Sequence, residues 1–346
     1  MLKKEIILIG IIVIEVLFLI YLLKSFYSSY SIIGGFVYFT PQKKLKMNEL
    51  NTQLPTYDVN VFRDSDNKIL LWELIPNHTE LFDGVSVKLN RTTKVRINSD
   101  GLRDFEHTIY KPENVTRILI IGDSNEYGQG VELEEAYPKV LEKIINERCK
   151  GRYEVISAAV PGYDLRQKIE LLRVKGIKYS PDIVILGIGF DDLTNSSYIR
   201  EILEREYKKL RELNLSREEY KMLSVQKMEE INRIELEKVV SLDKLELKRR
   251  LEELFKEFKN VITNTTIKKV VIFERIATTA NLDKALQEIA DNNGWYFVRS
   301  NIPCENETFF SNSPENILHP LDPHPSIVGH QKLASLLFCN IKKILD

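Results

Sequence analysis

The chain has 346 residues, of which 43% are hydrophobic, and its formal net charge is −1 at pH 7. This length and composition are those of a globular protein with one large domain or two smaller ones. A chain without a basic excess lacks the charge that neutralises phosphates, so we predict no nucleic-acid partner.

Residues 1–24 are predicted to form a membrane anchor. An apolar run extends over residues 6–23, and Glu15 alone interrupts it. A helix of that length rises roughly 27 Å, enough to cross a thin bilayer, and its apolar residues offset the cost of a carboxylate at the membrane centre. No A-x-A-like cleavage site follows, which favours an uncleaved single-pass anchor over a cleaved signal peptide.

Two further patterns indicate that the body of the chain lies outside the cytoplasm. The asparagines of the N-x-[ST] glycosylation sequons are Asn77, Asn90, Asn114, Asn195, Asn214, Asn264 and Asn306. Three cysteines, Cys149, Cys304 and Cys339, allow one disulfide and leave one thiol over. We therefore expect a glycoprotein that is anchored in a membrane and extracytoplasmic.

Residues 25–115 are predicted to form a stalk and a small β-rich subdomain. The stalk contains Pro41 and a cluster of lysines. Residues 84–89 and 94–97 then alternate apolar and polar side chains, which is the period of a half-buried strand.

Residues 116–346 are predicted to form an α/β domain. Short apolar runs that read as strands occupy residues 117–121, 153–157, 182–186, 269–273 and 295–298. Amphipathic stretches of helical period separate them, and the last helix is expected to begin after Ser326 and to bury Leu333, Leu336, Leu337 and Ile341. Strands that alternate with helices predict a parallel sheet with helices on both faces.

A highly charged stretch over residues 198–241 interrupts this alternation between the third and fourth strands. Its apolar residues recur at helical spacing, so we predict a helical insertion. A solvated insertion is the plain interpretation, and a lid over a site or an oligomerisation arm are the alternatives.

Short motifs follow the predicted strands at their carboxyl ends, where ligands bind in parallel α/β sheets. A Gly-Asp-Ser-Asn motif with Ser124 follows the first strand, and a Val-Pro-Gly motif ending at Gly162 follows the second. A Gly-Phe-Asp-Asp motif with Asp191 ends the third. An Asp-Pro-His motif, with Asp322 and His324, precedes the last helix.

These residue types suit acyl transfer. A serine hydroxyl such as that of Ser124 attacks an ester only when a base removes its proton, and His324 is the candidate base. Asp322 is expected to orient the imidazole and stabilise its charged form. The backbone N–H groups of Ser124 and Gly162 are expected to stabilise the oxyanion.

On these motifs the chain resembles the SGNH, or GDSL-type, hydrolase family over residues 116–346. Residues 97–103 also resemble the N-S-x-G-x-R stretch that precedes the GDS motif in extracytoplasmic members. The resemblance implies a flavodoxin-like three-layer α/β/α sandwich. It also implies hydrolysis or transfer of ester-linked acyl groups on carbohydrates or lipids, without a cofactor.

Asp191 departs from the family pattern, in which an asparagine at this place donates its amide N–H to the oxyanion. An ionised aspartate has no proton to donate and repels the developing negative charge. A protonated Asp191 would still donate if burial raised the pKa of its carboxyl group.

The sequence therefore predicts a serine esterase that acts on acyl groups such as acetyl on surface glycans or lipids. An O-acyltransferase that uses the same residues, or an inactive glycan-binding protein, is the alternative. A zinc site formed by His319, Asp322, His324 and His330 is a further alternative, but their spacing matches no familiar zinc motif, and we predict no metal. The oligomeric state does not follow from the sequence.

Overall fold

A computed structural model of the chain describes residues 30–33, 36–39, 61–83, 92–194, 196–213, 215, 217–275, 280–305, 309, 313–319 and 322–345. The chain divides into two units, Met1–Leu54 and Pro55–Asp346. In the first unit, strands β1 (Tyr30–Ile33) and β2 (Phe36–Phe39) form an antiparallel pair. The predicted anchor, residues 6–23, lies outside the described residues, and none of the helices within them is long and apolar enough to span a bilayer.

The second unit begins with short antiparallel strand pairs, as predicted. Strand β3 (Phe62–Asp64) pairs with β4 (Trp72–Leu74), and β5 (Thr79–Asp83) pairs with β6 (Thr92–Arg96). Strand β6 corresponds to the predicted strand at 94–97, whereas the predicted strand at 84–89 lies outside the described residues.

A five-stranded parallel sheet forms the centre of the second unit, in the order β11-β10-β9-β7-β8. Its strands are β7 (Val115–Gly122), β8 (Arg152–Ala159), β9 (Ile183–Ile188), β10 (Lys269–Glu274) and β11 (Tyr296–Arg299). Each contains one of the predicted apolar runs or most of it. These strands are rich in Val and Ile because a parallel sheet is covered on both faces.

Helices cover both faces of the sheet. The helices of the described part of the chain are α1 (Ser124–Tyr127), α2 (Tyr137–Arg148), α3 (Leu165–Leu171), α4 (Ser196–Arg211), α5 (Arg217–Val240), α6 (Lys244–Ile262), α7 (Ala280–Asn293) and α8 (Ile327–Leu345). Ile118 and Ile120 of β7 share a core with residues of α2 and α8. Leu119 lies on the opposite face, where its side chain approaches Gly176. The predicted three-layer α/β/α sandwich is confirmed.

The charged insertion is helical, as predicted. Helices α4 and α5 pack against each other, and α5 also lies against a 3₁₀ helix, Phe190–Leu193, that follows β9. Helix α5 buries a stripe of side chains at spacing i, i+4, i+8, formed by Ile231, Glu235 and Val239.

The C-terminal segment consists of a hairpin and a helix. Strand β12 (Ile317–His319) pairs antiparallel with β13 (Asp322–Pro325), and α8 follows. The Ser326 hydroxyl accepts a hydrogen bond from the Gly329 N–H at 3.1 Å, as expected of an N-cap. The four predicted core leucine and isoleucine residues of α8 are buried, and a disulfide joins Cys304 to Cys339 in this helix.

Candidate active site

The carboxyl edge of the sheet brings the predicted nucleophile and base together. Ser124 begins α1 directly after β7, and His324 lies in β13, before α8. The Nε2 atom of His324 lies 2.8 Å from the Oγ atom of Ser124, and both side chains are half-buried. This distance permits direct proton transfer from the hydroxyl to the ring.

The turn that carries Ser124 is held by a capping box. The Asp123 carboxylate accepts a hydrogen bond from the Asn125 N–H at 3.1 Å. The Glu126 carboxylate accepts one from the Asp123 N–H at 2.8 Å. Such reciprocal bonds fix the first turn of a helix.

Two backbone N–H groups at this edge are available to a ligand. Gly162 follows β8 in an exposed turn and has φ of +81°, a conformation that favours glycine. Ser124 is the first residue of α1, where N–H groups have no partner within the helix. Across the described residues, neither N–H group donates a hydrogen bond.

Asp191 lies in the 3₁₀ helix after β9, and its side chain is exposed. The condition for a proton-donating Asp191, burial of its carboxyl group, is therefore not met. The buried carboxyl group is that of its neighbour Asp192, which accepts a hydrogen bond from the Gly189 N–H at 2.6 Å. Asp322 lies in β13 with His324, but its side chain is outside the described part of the structure, so its role stays a prediction.

A fully buried lysine pairs with the residue before Ser124. Lys168 of α3 donates to Asp123 Oδ2 at 2.8 Å and to the Gly187 carbonyl at 3.0 Å, and its Nζ lies 2.5 Å from Asp192 Oδ1. The ammonium group thus makes two hydrogen bonds and one further ion pair. Lys168 thus connects the residue before Ser124 to the residue after Asp191.

A fully buried arginine completes this group of charges. Arg275 follows β10, and its Nη2 atom pairs with Asp123 Oδ2 while its Nε lies 3.0 Å from Glu126 Oε1. Glu126 also accepts a hydrogen bond from the Tyr137 hydroxyl at 2.9 Å. We call Asp123, Glu126, Lys168, Asp192 and Arg275 the basal network.

The basal network contains three carboxyl groups and two cations. Burial raises the pKa of Glu126 to about 7, although the charge of Lys168 opposes this shift. Burial likewise raises the pKa of Asp192 to about 7, again against Lys168, and the nearby charge of Asp191 adds to the shift. The network therefore retains a proton close to neutral pH.

The carboxylate oxygens of Asp123, Asp191 and Asp192 lie within 4.8 Å of one another, which is a spacing that metal ligands adopt. Two of these three carboxylates are already paired with buried cations, Asp123 with Lys168 and Arg275 and Asp192 with Lys168. A metal ion would have to compete with both cations. His330 of the zinc alternative is fully buried, and the Tyr137 N–H donates to its Nδ1 atom at 3.2 Å.

Arg103 holds the segment that follows Ser124 through hydrogen bonds to backbone carbonyl groups. It belongs to the N-S-x-G-x-R stretch, is buried, and donates to the carbonyl groups of Tyr127, Gly128 and Val131 at 2.8, 2.5 and 2.6 Å. These carbonyls belong to the end of α1 and the loop after it. The stretch thus holds the chain segment that follows Ser124.

Sequence reasoning missed Lys168, Arg275 and Glu126. Arg275 had a usable signal, because it lies a few positions beyond a predicted strand, as Ser124 and Asp191 do. Lys168 lies in α3, whose seven residues include four polar ones, so from the sequence alone a lysine there is taken for a surface residue. Its partner Asp123 is 45 residues away in the chain.

No protein-family model and no curated protein matches the sequence. Among solved structures, the chain is similar to TesA at 12% identity, with 66% of this chain and 99% of that chain covered and a TM-score of 0.41. A family 3 carbohydrate esterase of Clostridium thermocellum is similar at 15% identity, over 67% and 97% of the chains, with a TM-score of 0.42. A lipase/acylhydrolase from Enterococcus faecalis is similar at 16% identity, over 66% and 96%, with a TM-score of 0.39.

Proposed function

We propose that the protein is a serine esterase that removes ester-linked acyl groups, such as acetyl, from surface glycans or lipids. The observation that carries the proposal is the 2.8 Å distance between Ser124 Oγ and His324 Nε2 at the carboxyl edge of a parallel sheet. Acyl transfer requires a hydroxyl within reach of an imidazole and backbone N–H groups that can bind the oxyanion, and those of Ser124 and Gly162 have no partner among the described residues.

The proposed reaction has two halves. Ser124 Oγ attacks the ester carbonyl while its proton passes to His324 Nε2, and the oxyanion accepts hydrogen bonds from the N–H groups of Ser124 and Gly162. His324 then protonates the departing sugar or lipid oxygen, which leaves an acyl-enzyme. Water, activated by His324, releases the carboxylic acid and restores the serine. Asp322 is assigned the orientation of the imidazole, and the reaction uses no cofactor.

An O-acyltransferase would share the first half and replace water by an acceptor hydroxyl. A glycan-binding protein without activity is the second candidate, and the exposed carboxylate of Asp191 favours it because a negative charge beside the oxyanion opposes the reaction. Activity measurements separate these candidates from an esterase.

We also propose that the domain is extracytoplasmic and anchored by residues 6–23. The disulfide between Cys304 and Cys339 supports an oxidising compartment. Within the described residues, the sequon asparagines Asn77, Asn114 and Asn264 are exposed, as glycosylation requires. Protease treatment of intact cells, followed by detection of the domain and the N-terminal segment, tests this location.

The test of activity is hydrolysis of p-nitrophenyl acetate together with labelling by a serine-directed fluorophosphonate. We expect turnover, and label on Ser124 in peptide mass mapping. Ser124→Ala should abolish both, whereas Ser241→Ala, which changes an exposed serine after α5, should change neither. Absence of turnover and of Ser124 label in the folded wild-type protein would reject the esterase.

A further inference from the structure

The basal network is built into the backbone around it. A Cβ atom on Gly122 or Gly187 would collide with the Glu126 carboxylate, and one on Gly189 would collide with Nη1 of Arg275. Gly122 and Gly187 end or nearly end β7 and β9, and Gly189 follows β9. The chain therefore keeps space for these two buried charges at the edge where Ser124 lies.

Arg275 has a nitrogen that the network does not use. Its Nη1 atom is buried and has no hydrogen-bond partner among the described residues. It points at Gly189, and the Oδ1 atom of Asp191 lies 2.9 Å from the place where a Cβ atom of Gly189 would be. One face of the guanidinium group is thus directed towards the acidic residue at the family's asparagine position.

Lys168 acts from the other side of the same loop. Its ammonium group pairs with Asp192, next to Asp191 in the chain, and with Asp123, next to Ser124. Both cations are 0% exposed, so solvent screens their charges weakly. The two cations thus lie next to the turn that carries Ser124 and to the 3₁₀ helix that carries Asp191.

We propose that Arg275 and Lys168 are positioning residues that make an oxyanion hole workable beside Asp191. The Nη1 atom of Arg275, which no carboxylate of the basal network engages, is directed towards Asp191 and offsets part of its negative charge. Both cations hold Asp123 so that the Ser124 N–H keeps its direction. In the resembled family, one asparagine amide stabilises the oxyanion. Here the buried cations and two backbone N–H groups share that role. This proposal depends on the proposed esterase function.

The test is a double-mutant cycle between Arg275 and Asp191. We expect Arg275→Gln to lower kcat for p-nitrophenyl acetate about 100-fold, which is the effect of one lost oxyanion donor, with little change in KM. In an Asp191→Asn background, where no charge needs to be offset, the same change should cost less than about tenfold. Arg275→Lys, which keeps the charge, should have a kcat between those of the wild type and Arg275→Gln.

Equal losses in the two backgrounds would overturn the proposal, because a merely structural arginine has no reason to depend on Asp191. Arg299→Gln is the matched control, since Arg299 pairs with Glu274 and Asp283 rather than with the basal network, and it should show no coupling to Asp191. If Arg275→Gln does not fold, the double variant Arg275→Gln with Glu126→Gln removes one cation and one anion together. It then takes the place of Arg275→Gln in the double-mutant cycle with Asp191.

The rate at which the fluorophosphonate labels Ser124 separates failure of this proposal from failure of the esterase. Phosphonylation also places a negative oxygen in the oxyanion hole. Its rate therefore measures the coupling between Arg275 and Asp191 without an acyl substrate. An unlabelled Ser124 in the wild-type protein rejects both proposals. A labelled Ser124 whose rate shows no coupling between Arg275 and Asp191 rejects only this one.

Discussion

Ser124 is positioned by its neighbours in the chain as much as by His324. The Asp123 carboxylate makes five polar contacts: it accepts from the Asn125 N–H, from the Asn125 side-chain amide and from the Ser124 hydroxyl at 3.5 Å, and it pairs with two buried cations. Removal of one partner from such a buried ion pair leaves an uncompensated charge, which destabilises a protein by about 3–5 kcal/mol. The charges beneath the nucleophile are therefore expected to tolerate substitution poorly unless they are changed in balanced pairs.

The exposed Asp191 gives the sharpest prediction at the scale of a residue. We expect Asp191→Asn to raise kcat for p-nitrophenyl acetate at pH 7 roughly 100-fold, because it removes a repelling charge and adds an amide donor. Asp191→Ala removes the charge without adding the donor and should give a smaller gain. An Asp191→Asn protein no faster than wild type would show that Asp191 does not face the oxyanion.

The sequence predicted the candidate pair Ser124 and His324 better than the buried charges that hold the turn of Ser124. Ser124 and His324 are 200 residues apart but carry recognisable motifs at strand ends, where the geometry of a parallel sheet brings them together. Lys168 and Arg275 carry no motif. Their role arises from pairing with Asp123 across 45 and 152 residues, and charge pairing over such separations is not encoded in local periodicity.

At the scale of elements, the hairpin of β3 and β4 supports the turn that contains Gly162. The Trp72 indole N–H donates to the Pro161 carbonyl at 3.2 Å, and the Tyr163 hydroxyl donates to the Trp72 carbonyl. The Trp72 ring also meets the Tyr163 ring edge-on at 5.4 Å. The β-rich part of the chain thus has a structural link to a candidate oxyanion donor.

We therefore expect Trp72→Ala to lower kcat roughly 10- to 100-fold, since the Gly162 N–H loses its orientation when its turn loses this support. Trp72→Phe keeps most of the packing and should lose less. Phe62→Ala, on the facing strand of the same hairpin and 38% exposed, is the control and should stay near the wild-type rate. Equal activity of the Trp72→Ala and Phe62→Ala proteins would contradict this role.

The insertion contributes a second element to the site. Because α5 lies against the 3₁₀ helix that carries Asp191, a change on the buried stripe of α5 should reach the site. We expect Ile231→Asp, which buries an unpaired charge, to lower the free energy of unfolding by a few kcal/mol and to lower kcat at least tenfold.

Ile234→Asp is the matched control for this prediction, because Ile234 lies on the same helix but is 39% exposed, whereas Ile231 is 7% exposed. Thermal unfolding and p-nitrophenyl acetate hydrolysis are measured for both proteins. If Ile231→Asp lowers stability and leaves kcat unchanged, the insertion is a stable appendage without influence on the site.

At the scale of the whole molecule, the architecture followed from the sequence because strands of a parallel sheet are short apolar runs, and five such runs stand out between amphipathic stretches. The pairing order of the strands and the contact between the insertion and the 3₁₀ helix did not follow from it. Both depend on which faces meet in three dimensions, and periodicity identifies a face without identifying its partner.

The stability of the whole molecule in acid should depend on His330. Burial lowers the pKa of this imidazole to about 3, from a usual value of 6.5, with help from the positive charge of Arg103. Above pH 6.5 the imidazole is neutral in the folded and in the unfolded protein, and its burial then costs no stability through protonation. Between pH 6.5 and about 3 the unfolded chain binds a proton that the folded protein does not, so the free energy of unfolding falls by ~1.4 kcal/mol for each pH unit.

His330→Gln removes this term while keeping an acceptor for the Tyr137 N–H. Chemical denaturation at pH 7 measures how much the substitution itself lowers the free energy of unfolding. As the pH falls from 6 to 4, the free energy of unfolding should fall less for His330→Gln than for the wild-type protein. The acid titration of Glu126 and Asp192, whose raised pKa values make stability fall as pH rises towards 7, is shared by both proteins and cancels in the difference. A difference that does not change between pH 6 and pH 4 would mean that His330 takes up a proton in the folded protein as readily as in the unfolded chain.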